Sequence, residues 1–174
     1  GMKMAVEEVN AAGGINGRKI RLIVEDSGYD PKRAVLATQK LVEKDKIFAM
    51  LAPLGSPTVL AAQDILLEGG IPQLFPVTSA EFTYKMEAGK PQERLKFNNV
   101  PPYTESVRAG ARHLMQEKKL TKPCVMYQDD EFGLEVLRGA EDGLKQAGMA
   151  PMAEKTSYKR GATDFSSQIQ RLQA

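Results

Sequence analysis

The sequence predicts an α/β protein in which helices cover both faces of a parallel sheet. Short apolar runs alternate with stretches of helical periodicity along the whole chain, which is typical of parallel strands joined by crossover helices. Two of the apolar runs, over residues 47–51 and around residues 74–75, lead into similar turns of small residues. No solenoid repeat or coiled-coil seam interrupts this alternation, and 174 residues are enough to bury a core.

The composition excludes several classes of function. A formal net charge of +2 indicates neither nucleic-acid binding nor attachment to a membrane surface. A single cysteine, Cys124, rules out an internal disulfide framework, and its apolar neighbours predict a buried thiol. No stretch is apolar for long enough to span a bilayer, and none has the pattern of a signal peptide.

The first elements are predicted to be a helix, a strand and a second helix. Apolar residues at helical spacing indicate a helix that ends before Gly13 and Gly14. Alternating apolar side chains over residues 19–24 predict a strand. Asp30 followed by Pro31 is typical of a helix N-terminus, so the second helix is expected over residues 31–44.

The remaining elements continue the alternation. Strands are expected over residues 47–51, around 74–75, and over 95–98 and 124–127, with another within 149–157. Helices are expected over residues 59–67, from 104 with Thr104 as the cap, after 133, and from 163. Residues 82–94 are polar and contain Gly89 and Pro91, so little regular structure is expected there.

Residues 52–58 (APLGSPT) form the turn around which the chain is organised. A strand leads in, a helix leads out, and Ser56 lies at the helix start, where unpaired N–H groups and the helix dipole favour an anion. The design recurs in residues 76–80 (PVTSA). Neighbouring parallel strands end at one edge of a sheet, where such folds bind ligands. The alternative is that both turns are ordinary connections with N-caps.

Catalytic motifs are absent or weak. No glycine-rich loop is followed by the Lys and Ser or Thr of a phosphate-binding loop, and Ser56 lacks the flanking glycines of a nucleophile elbow. Residues 129–131 (DDE) could hold a metal or act as general acid and base, but an acidic run at a helix start more often complements the helix dipole. We therefore expect no catalytic residues, no metal and no cofactor.

A series of short motifs runs along the chain in a fixed order. It comprises residues 5–20 (AVEEVNAAGGINGRKI), Asp26, Asp30-Pro31, Ala34, and residues 53–56 (PLGS), 70–72 (GIP), 76–79 (PVTS), 130–133 (DEFG) and 161–165 (GATDF). Together these motifs resemble the periplasmic substrate-binding proteins of branched-chain amino-acid ABC transporters, the Leu/Ile/Val-binding group. The resemblance covers nearly the whole chain.

This resemblance implies a type 1 periplasmic-binding fold, in which two α/β lobes joined by a hinge close on a ligand. In that fold a first strand with a ligand-contacting loop precedes the position of Gly1, and most of the second lobe follows Ala174. We therefore interpret the chain as a fragment with an incomplete two-lobe architecture. Residues 1–120 correspond to most of lobe one and residues 121–174 to the beginning of lobe two. The unpaired strand edge predicts self-association.

The resemblance also implies the ligand-binding residues. Ser56 matches the turn residue that holds the ligand carboxylate through its hydroxyl and backbone N–H, and Gly55 precedes it in the same turn. Val77 matches a position whose backbone carbonyl binds the ligand's amino group, and Ser79 a hydroxyl that touches both groups. Leu54 matches an apolar wall.

From lobe two, Phe132 matches an aromatic residue, usually tyrosine, that packs on the ligand; the alternative is a core aromatic beneath the helix start. Residues 52–56 also resemble a subgroup that binds aromatic carboxylates, so a branched-chain amino acid and an aromatic acid both remain open as ligands. The implied function is solute capture for an ABC importer, in the periplasm or on a lipid anchor outside the cell, with delivery to a membrane permease. The alternative hypothesis is a ligand-sensing regulatory domain of the same fold. A third hypothesis is an enzyme that uses residues 129–131.

Overall fold

Six α-helices and five strands make up the part of the chain that the computed structural model describes, residues 1–173. The helices are α1 (Met2–Ala11), α2 (Pro31–Gln39), α3 (Ser56–Glu68), α4 (Tyr103–Lys118), α5 (Glu131–Gln146) and α6 (Ser166–Gln173). The strands are β1 (Met50–Leu51), β2 (Gln73–Leu74), β3 (Lys96–Phe97), β4 (Cys124–Gln128) and β5 (Glu154–Tyr158). The α/β class predicted from the sequence is confirmed.

The strands form two separate parallel sheets. In the three-stranded sheet the order is β1-β2-β3, with Met50 opposite Gln73 and Gln73 opposite Lys96. In the two-stranded sheet β4 pairs with β5 over all five residues of each strand. The carboxyl ends of β1 and β2 therefore lie side by side, as the sequence predicts.

The predicted start of the second helix is confirmed, whereas the helix expected after residue 133 begins at Glu131. Asp30 caps α2, because its carboxylate accepts the Arg33 backbone N–H at 2.9 Å while Pro31 occupies the first helical position. Asp130 caps α5, and its Oδ1 accepts the N–H groups of Phe132 and Gly133 at 3.1 and 3.3 Å. The second helix continues past α2 as a π-helix, Lys40–Lys44. Residues 82–94 contain only the 3₁₀-helices Glu81–Thr83 and Pro91–Leu95.

Three local predictions are wrong. Residues 19–24 form no strand, because no neighbouring strand pairs with them in the described chain; Ile20 bonds instead to the Asn10 side chain at 2.7 and 2.8 Å. Thr104 does not cap α4, which begins one residue earlier, and its hydroxyl donates to the Glu81 carboxylate at 2.8 Å. Cys124 is exposed, because it lies on the exposed face of β4.

The apolar core lies between α2 and α3, which pack against each other. Its buried residues include Ala34, Leu41, Val59, Ala62, Leu66 and Leu67. α4 packs against α5, where two glycines permit a close approach. A Cβ atom at Gly139 would lie 2.8 Å from the Thr104 carbonyl oxygen, and one at Gly143 would lie 2.6 Å from the Arg108 carbonyl oxygen.

A cavity of about 420 Å³ lies between residues 22–26 and residues 50–54, beneath side chains of α2 and α3. β1 is an end strand of its sheet. Its Met50 and the following Ala52 donate their N–H groups to residues of the β2 segment, so the backbone groups of Leu51 point to the other side, toward the cavity. Across the cavity, the backbone of residues 22–24 makes no hydrogen bond to another described residue. Among residues 1–173, the helices are too short or too polar to cross a membrane.

Candidate functional site

The two turns predicted to form the site are hydrogen-bonded to each other. Leu54 and Val77 form a parallel bridge beyond the ends of β1 and β2. Gly55 donates its N–H to the Val77 carbonyl at 3.2 Å, and Val77 donates to the Pro53 carbonyl at 2.8 Å. The structure therefore brings together Leu54, Gly55, Ser56 and Val77, as the sequence predicts for the edge of a parallel sheet.

The N-terminus of α3 lies at this edge, and its first residues, Ser56 to Val59, are buried. Its N-cap is Gly55, with φ of +92°, and no side chain caps the helix. The Thr58 hydroxyl donates backward to the Gly55 carbonyl at 2.8 Å, so it leaves the first N–H groups unfilled. The ring of Tyr29 lies so close to Gly55 that any Cβ atom there would overlap it. This position therefore requires glycine for both its backbone angle and its close contact.

Ser56 and Thr78 join the two turns through their side chains. Ser56 is 1% exposed, and its Oγ lies 2.7 Å from the Thr78 Oγ1, which also accepts the Ala80 N–H at 3.2 Å. Sequence reasoning missed Thr78. In the structure Val77 is exposed, Thr78 buried and Ser79 half-buried, which is the alternation of an extended segment, and the register of β1 against β2 brings Thr78 to Ser56.

Phe132 reaches the site through a second aromatic residue. The half-buried Ser79 accepts the Tyr103 N–H on its carbonyl at 2.9 Å, at the start of α4. The Tyr103 ring meets the Phe132 ring edge to face, with centroids 5.0 Å apart. Tyr103 was also missed by sequence reasoning, since its role depends on contacts with both Ser79 and Phe132.

Apolar side chains border the turns. Leu54 is 57% exposed and Val77 is 55% exposed, although both lie at the end of a sheet. Large exposed apolar side chains beside convergent polar groups are typical of ligand sites, which are mostly apolar with a few polar contacts. Neither turn contains Lys or Arg. An anion here would be bound by hydroxyls, backbone N–H groups and the dipole of α3.

The acidic run after β4 has structural partners. Asp130 caps α5, and Asp129 forms an ion pair with the exposed Lys159. Glu131 is the first residue of α5, where a negative charge complements the helix dipole. Within residues 1–173, no three His, Cys, Asp or Glu side chains are grouped closely enough to hold a metal ion.

A carboxylate joins α5 to the segment that follows the second turn. Both oxygens of Glu135 accept the Glu81 backbone N–H at 3.0 Å. Burial raises the pKa of Glu135, although this hydrogen bond opposes the effect. The pKa of Glu81 is lowered, first by its hydrogen bond from Lys85 and then by the one from Thr104. Arg138 lies 3.8 Å from Glu135 and 4.0 Å from Glu81.

Comparison with known proteins identifies a matching family and similar relatives. The family model described as periplasmic binding protein matches residues 1–174. An amino acid binding protein of Pseudomonas aeruginosa is 26% identical over 175 residues, covering 100% of this chain and 45% of the relative. The Leu/Ile/Val-binding protein of Escherichia coli strain K12 is 28% identical over 172 residues, covering 99% of this chain and 45% of the relative.

A solved structure shows the same architecture. The crystal structure of a substrate-binding periplasmic protein from Ralstonia solanacearum superposes with a TM-score of 0.86 at 25% identity. The superposition covers 99% of this chain and 47% of that chain. The present chain thus spans about half the length of the curated relatives it matches.

Proposed function

The chain belongs to the periplasmic binding protein family, and on this premise we propose that it is the solute-binding part of an ABC importer. One observation carries the proposal: the buried Ser56–Thr78 hydroxyl pair lies at the uncapped N-terminus of α3, beside exposed apolar side chains. This combination suits a small ligand that has a carboxylate and an apolar body. The family is one of binding proteins, not of enzymes, and the chain is accordingly assigned no catalytic step.

The ligand we propose is a branched-chain amino acid or an aromatic carboxylic acid. Ser56 and Ser79 would bind the carboxylate with their hydroxyls. The Val77 carbonyl already accepts the Gly55 N–H at 3.2 Å, and its second lone pair would accept the ligand's amino group. Leu54 would form the apolar wall on this side of the ligand.

Phe132 would form the wall on the opposite side. It lies in the first turn of α5, and its half-buried ring is held edge to face by Tyr103. A phenylalanine offers no hydroxyl to the ligand, so this wall suits an aliphatic or aromatic body. The curated relatives named for amino acid binding and for Leu/Ile/Val binding support the same ligand class.

We further propose that the ligand is captured between two lobes and passed to a membrane permease. The proposed location is the periplasm, or the outer cell surface if a lipid anchor is attached. The lobes would carry the two separate sheets, with the boundary near residues 120–121. α4 precedes that boundary but packs closely on α5, which follows it, so this contact favours an alternative boundary before α4.

Self-association is a further proposal, based on the open side of the three-stranded sheet. β1 is an end strand beside a cavity of about 420 Å³, and an open strand edge is a template for pairing with another chain. Light scattering across a concentration series should therefore show a mass above that of the monomer. A monomer at every concentration would reject this proposal.

Replacing the Ser56 hydroxyl tests the proposed function. A hydrogen bond to a charged group contributes about 1.5–3 kcal/mol, so we expect Ser56→Ala to weaken carboxylate binding by about tenfold to a hundredfold. Calorimetric titration with L-leucine, L-isoleucine and benzoate measures the effect. Ser106→Ala, an exposed serine on α4, is the matched control and should bind as the parent does.

Two results would contradict the carboxylate assignment. The first is parent-like affinity in Ser56→Ala for the ligand that the parent binds. The second is equal binding of L-isoleucine and L-isoleucinamide, which differ only at the carboxyl group. Thr78→Val breaks the Ser56–Thr78 hydrogen bond but keeps the Ser56 hydroxyl. It therefore shows how much of the Ser56→Ala effect comes from losing the bond between the turns and how much from losing the ligand contact. A thermal melt of both variants measures the stability change.

A further inference from the structure

Tyr29 lies between the two sheets and contacts both sides of the protein. It belongs to the loop before α2, and its ring covers Gly55 at the N-terminus of α3. Its phenol oxygen accepts a hydrogen bond from the Gln128 side-chain amide at 3.3 Å, at the end of β4. The Arg160 guanidinium, two residues after β5, lies 5.5 Å from the centre of the Tyr29 ring, within reach of a cation–π interaction.

The two residues that meet Tyr29 from the two-stranded sheet are held in place by Asp130. The Gln128 amide lies 2.5 Å from the Asp130 Oδ2, and the Arg160 guanidinium lies 3.9 Å from the same oxygen. The other Asp130 oxygen caps α5. Gln128 and Arg160 are therefore oriented by their own side of the protein, and an oriented pair loses little rotamer freedom when it contacts Tyr29.

On its own side, Tyr29 is held in an uncommon backbone conformation. Its φ is +58°, in the left-handed region that residues with a Cβ atom rarely adopt. The preceding Gly28 donates its N–H to the Asp26 carboxylate at 2.8 Å, which fixes the turn. This turn directs the Tyr29 ring over Gly55 and toward Gln128.

We propose that Tyr29, Gln128 and Arg160 form a latch that holds the two sides together over the N-terminus of α3 and thereby sets the affinity for ligand. The part of this proposal that concerns ligand rests on the proposed function. Ser56 follows Gly55 directly, so the ring that closes the latch lies against the residue next to the proposed carboxylate contact. Ligand exchange then requires the latch to open, and a weaker latch releases ligand faster.

Two substitutions weaken the latch at different contacts. Tyr29→Phe keeps the ring over Gly55 but removes the oxygen that accepts the Gln128 hydrogen bond. We expect a rise in Kd of about threefold to tenfold, mainly through faster dissociation. Arg160→Met removes the cation above the ring, and we expect a rise in Kd of about twofold to fivefold.

Each substitution has a control that makes the same chemical change nearby. Tyr158→Phe also removes a phenol oxygen, but the Tyr158 ring packs edge to face on Phe165 of the same side, 5.2 Å away. Lys159→Met removes a positive charge next to Arg160, but Lys159 pairs with Asp129 of the same side. Neither control alters a contact of Tyr29, so both should bind as the parent does.

A distance measurement tests the latch without any ligand. One spin label is attached to the exposed Cys124 on β4, and the other to a cysteine introduced as Lys32→Cys on the exposed face of α2. The unliganded parent should give one narrow distance distribution. Tyr29→Phe and Arg160→Met should broaden it toward longer distances, and the two controls should not.

The outcomes separate the latch from the proposed function. Narrow, parent-like distributions in both latch variants would overturn the latch, as would equal broadening in the controls. Broadening in the latch variants alone supports the latch even if L-isoleucine and benzoate fail to bind the parent, and that failure would count against the proposed function only. If the latch variants broaden and bind either ligand as tightly as the parent, the latch does not set affinity, and that part of the proposal is overturned.

Discussion

The two sheets differ in how completely their backbones are paired. The strands of the three-stranded sheet are two residues long, and its β1 edge faces a cavity of about 420 Å³. The strands of the two-stranded sheet pair over five residues each, and the neighbouring helices α4 and α5 meet at backbone-to-backbone distance at Gly139 and Gly143. Within the described chain, an open region with an unpaired β1 edge thus contains the proposed carboxylate site, and a tightly packed region contributes Phe132.

This difference shows that local β preference alone does not make a strand. Residues 19–24 have the alternation of a strand, yet their backbone finds no strand partner in the described chain. β4 and β5 have no stronger alternation, but each has the other along its whole length. A strand becomes part of a sheet only when its N–H and C=O groups have neighbours.

Hydrogen exchange should show the largest difference between the two regions. The amides of residues 22–24 have no hydrogen-bond partner in the described chain, so they should exchange almost as fast as in an unfolded peptide. The amides that pair β4 with β5 should exchange only when the fold opens, which costs several kcal/mol in a protein of roughly 5–15 kcal/mol total stability. Mass spectrometry or NMR at residue resolution measures both. Equal protection in the two regions would contradict the comparison.

Glycine substitution in the tight region should have the next largest effect. A Cβ atom at Gly143 would lie 2.6 Å from the Arg108 carbonyl oxygen and 2.8 Å from the Ala111 Cβ. We therefore expect Gly143→Ala to lower the free energy of unfolding by about 1–3 kcal/mol, since overpacking forces α4 and α5 apart. Urea denaturation measures the change.

Gly110 provides the matched control, because it is also helical but a Cβ atom there would meet nothing within 4 Å. Gly110→Ala should raise stability by about 0.5–1 kcal/mol, the usual gain from removing a glycine within a helix. A loss of stability in both variants would show that the α4–α5 contact is not the cause.

The sequence predicts those parts of the candidate site that follow from the parallel order of the strands. The resemblance to the Leu/Ile/Val-binding group is confirmed at the level of the family. The turns of Ser56 and Val77 were expected to lie side by side because parallel strands end at one sheet edge, and Leu54 and Val77 do form a parallel bridge there. Thr78 as the partner of Ser56 depends on the register of β1 against β2, which the sequence does not state. Tyr29 could not be predicted, because its partner Gln128 is 99 residues away.

Filling the cavity should change stability less than disturbing the tight region does. Ala62 is buried on α3 and lines the cavity. We expect Ala62→Leu to raise the free energy of unfolding by about 0.5–1 kcal/mol, because the added carbons bury apolar surface in existing space. Ala140→Leu is the control on α5, where the buried alanine lies between two close-packed glycines. It should lower stability by about 1–3 kcal/mol. If Ala62→Leu lowers the free energy of unfolding more than Ala140→Leu does, the cavity does not accept side chains.

The smallest expected effect concerns Glu135, whose carboxylate joins α5 of the tight region to Glu81 beside the open one. Burial raises the pKa of Glu135 in the folded protein, so folding favours the protonated form. Its contribution to stability is present below the unfolded value of about 4.5 and is lost as pH rises through the folded pKa. Glu81 has a lowered pKa, so its contribution is present above that unfolded value and is lost as pH falls through the folded pKa.

Glu135→Gln should therefore remove the decline in stability that the parent shows as pH rises above about 4.5. At pH 7 we expect a net change within about 1 kcal/mol, because relief of the buried charge offsets the weaker hydrogen bond to the Glu81 N–H. Glu81→Gln should act in the opposite sense and lower stability at neutral pH more than in acid. Urea denaturation of both variants from pH 4 to pH 8 measures the two slopes. If both variants shift the slope of the free energy of unfolding against pH in the same direction, Glu135 and Glu81 do not have opposite effects on stability.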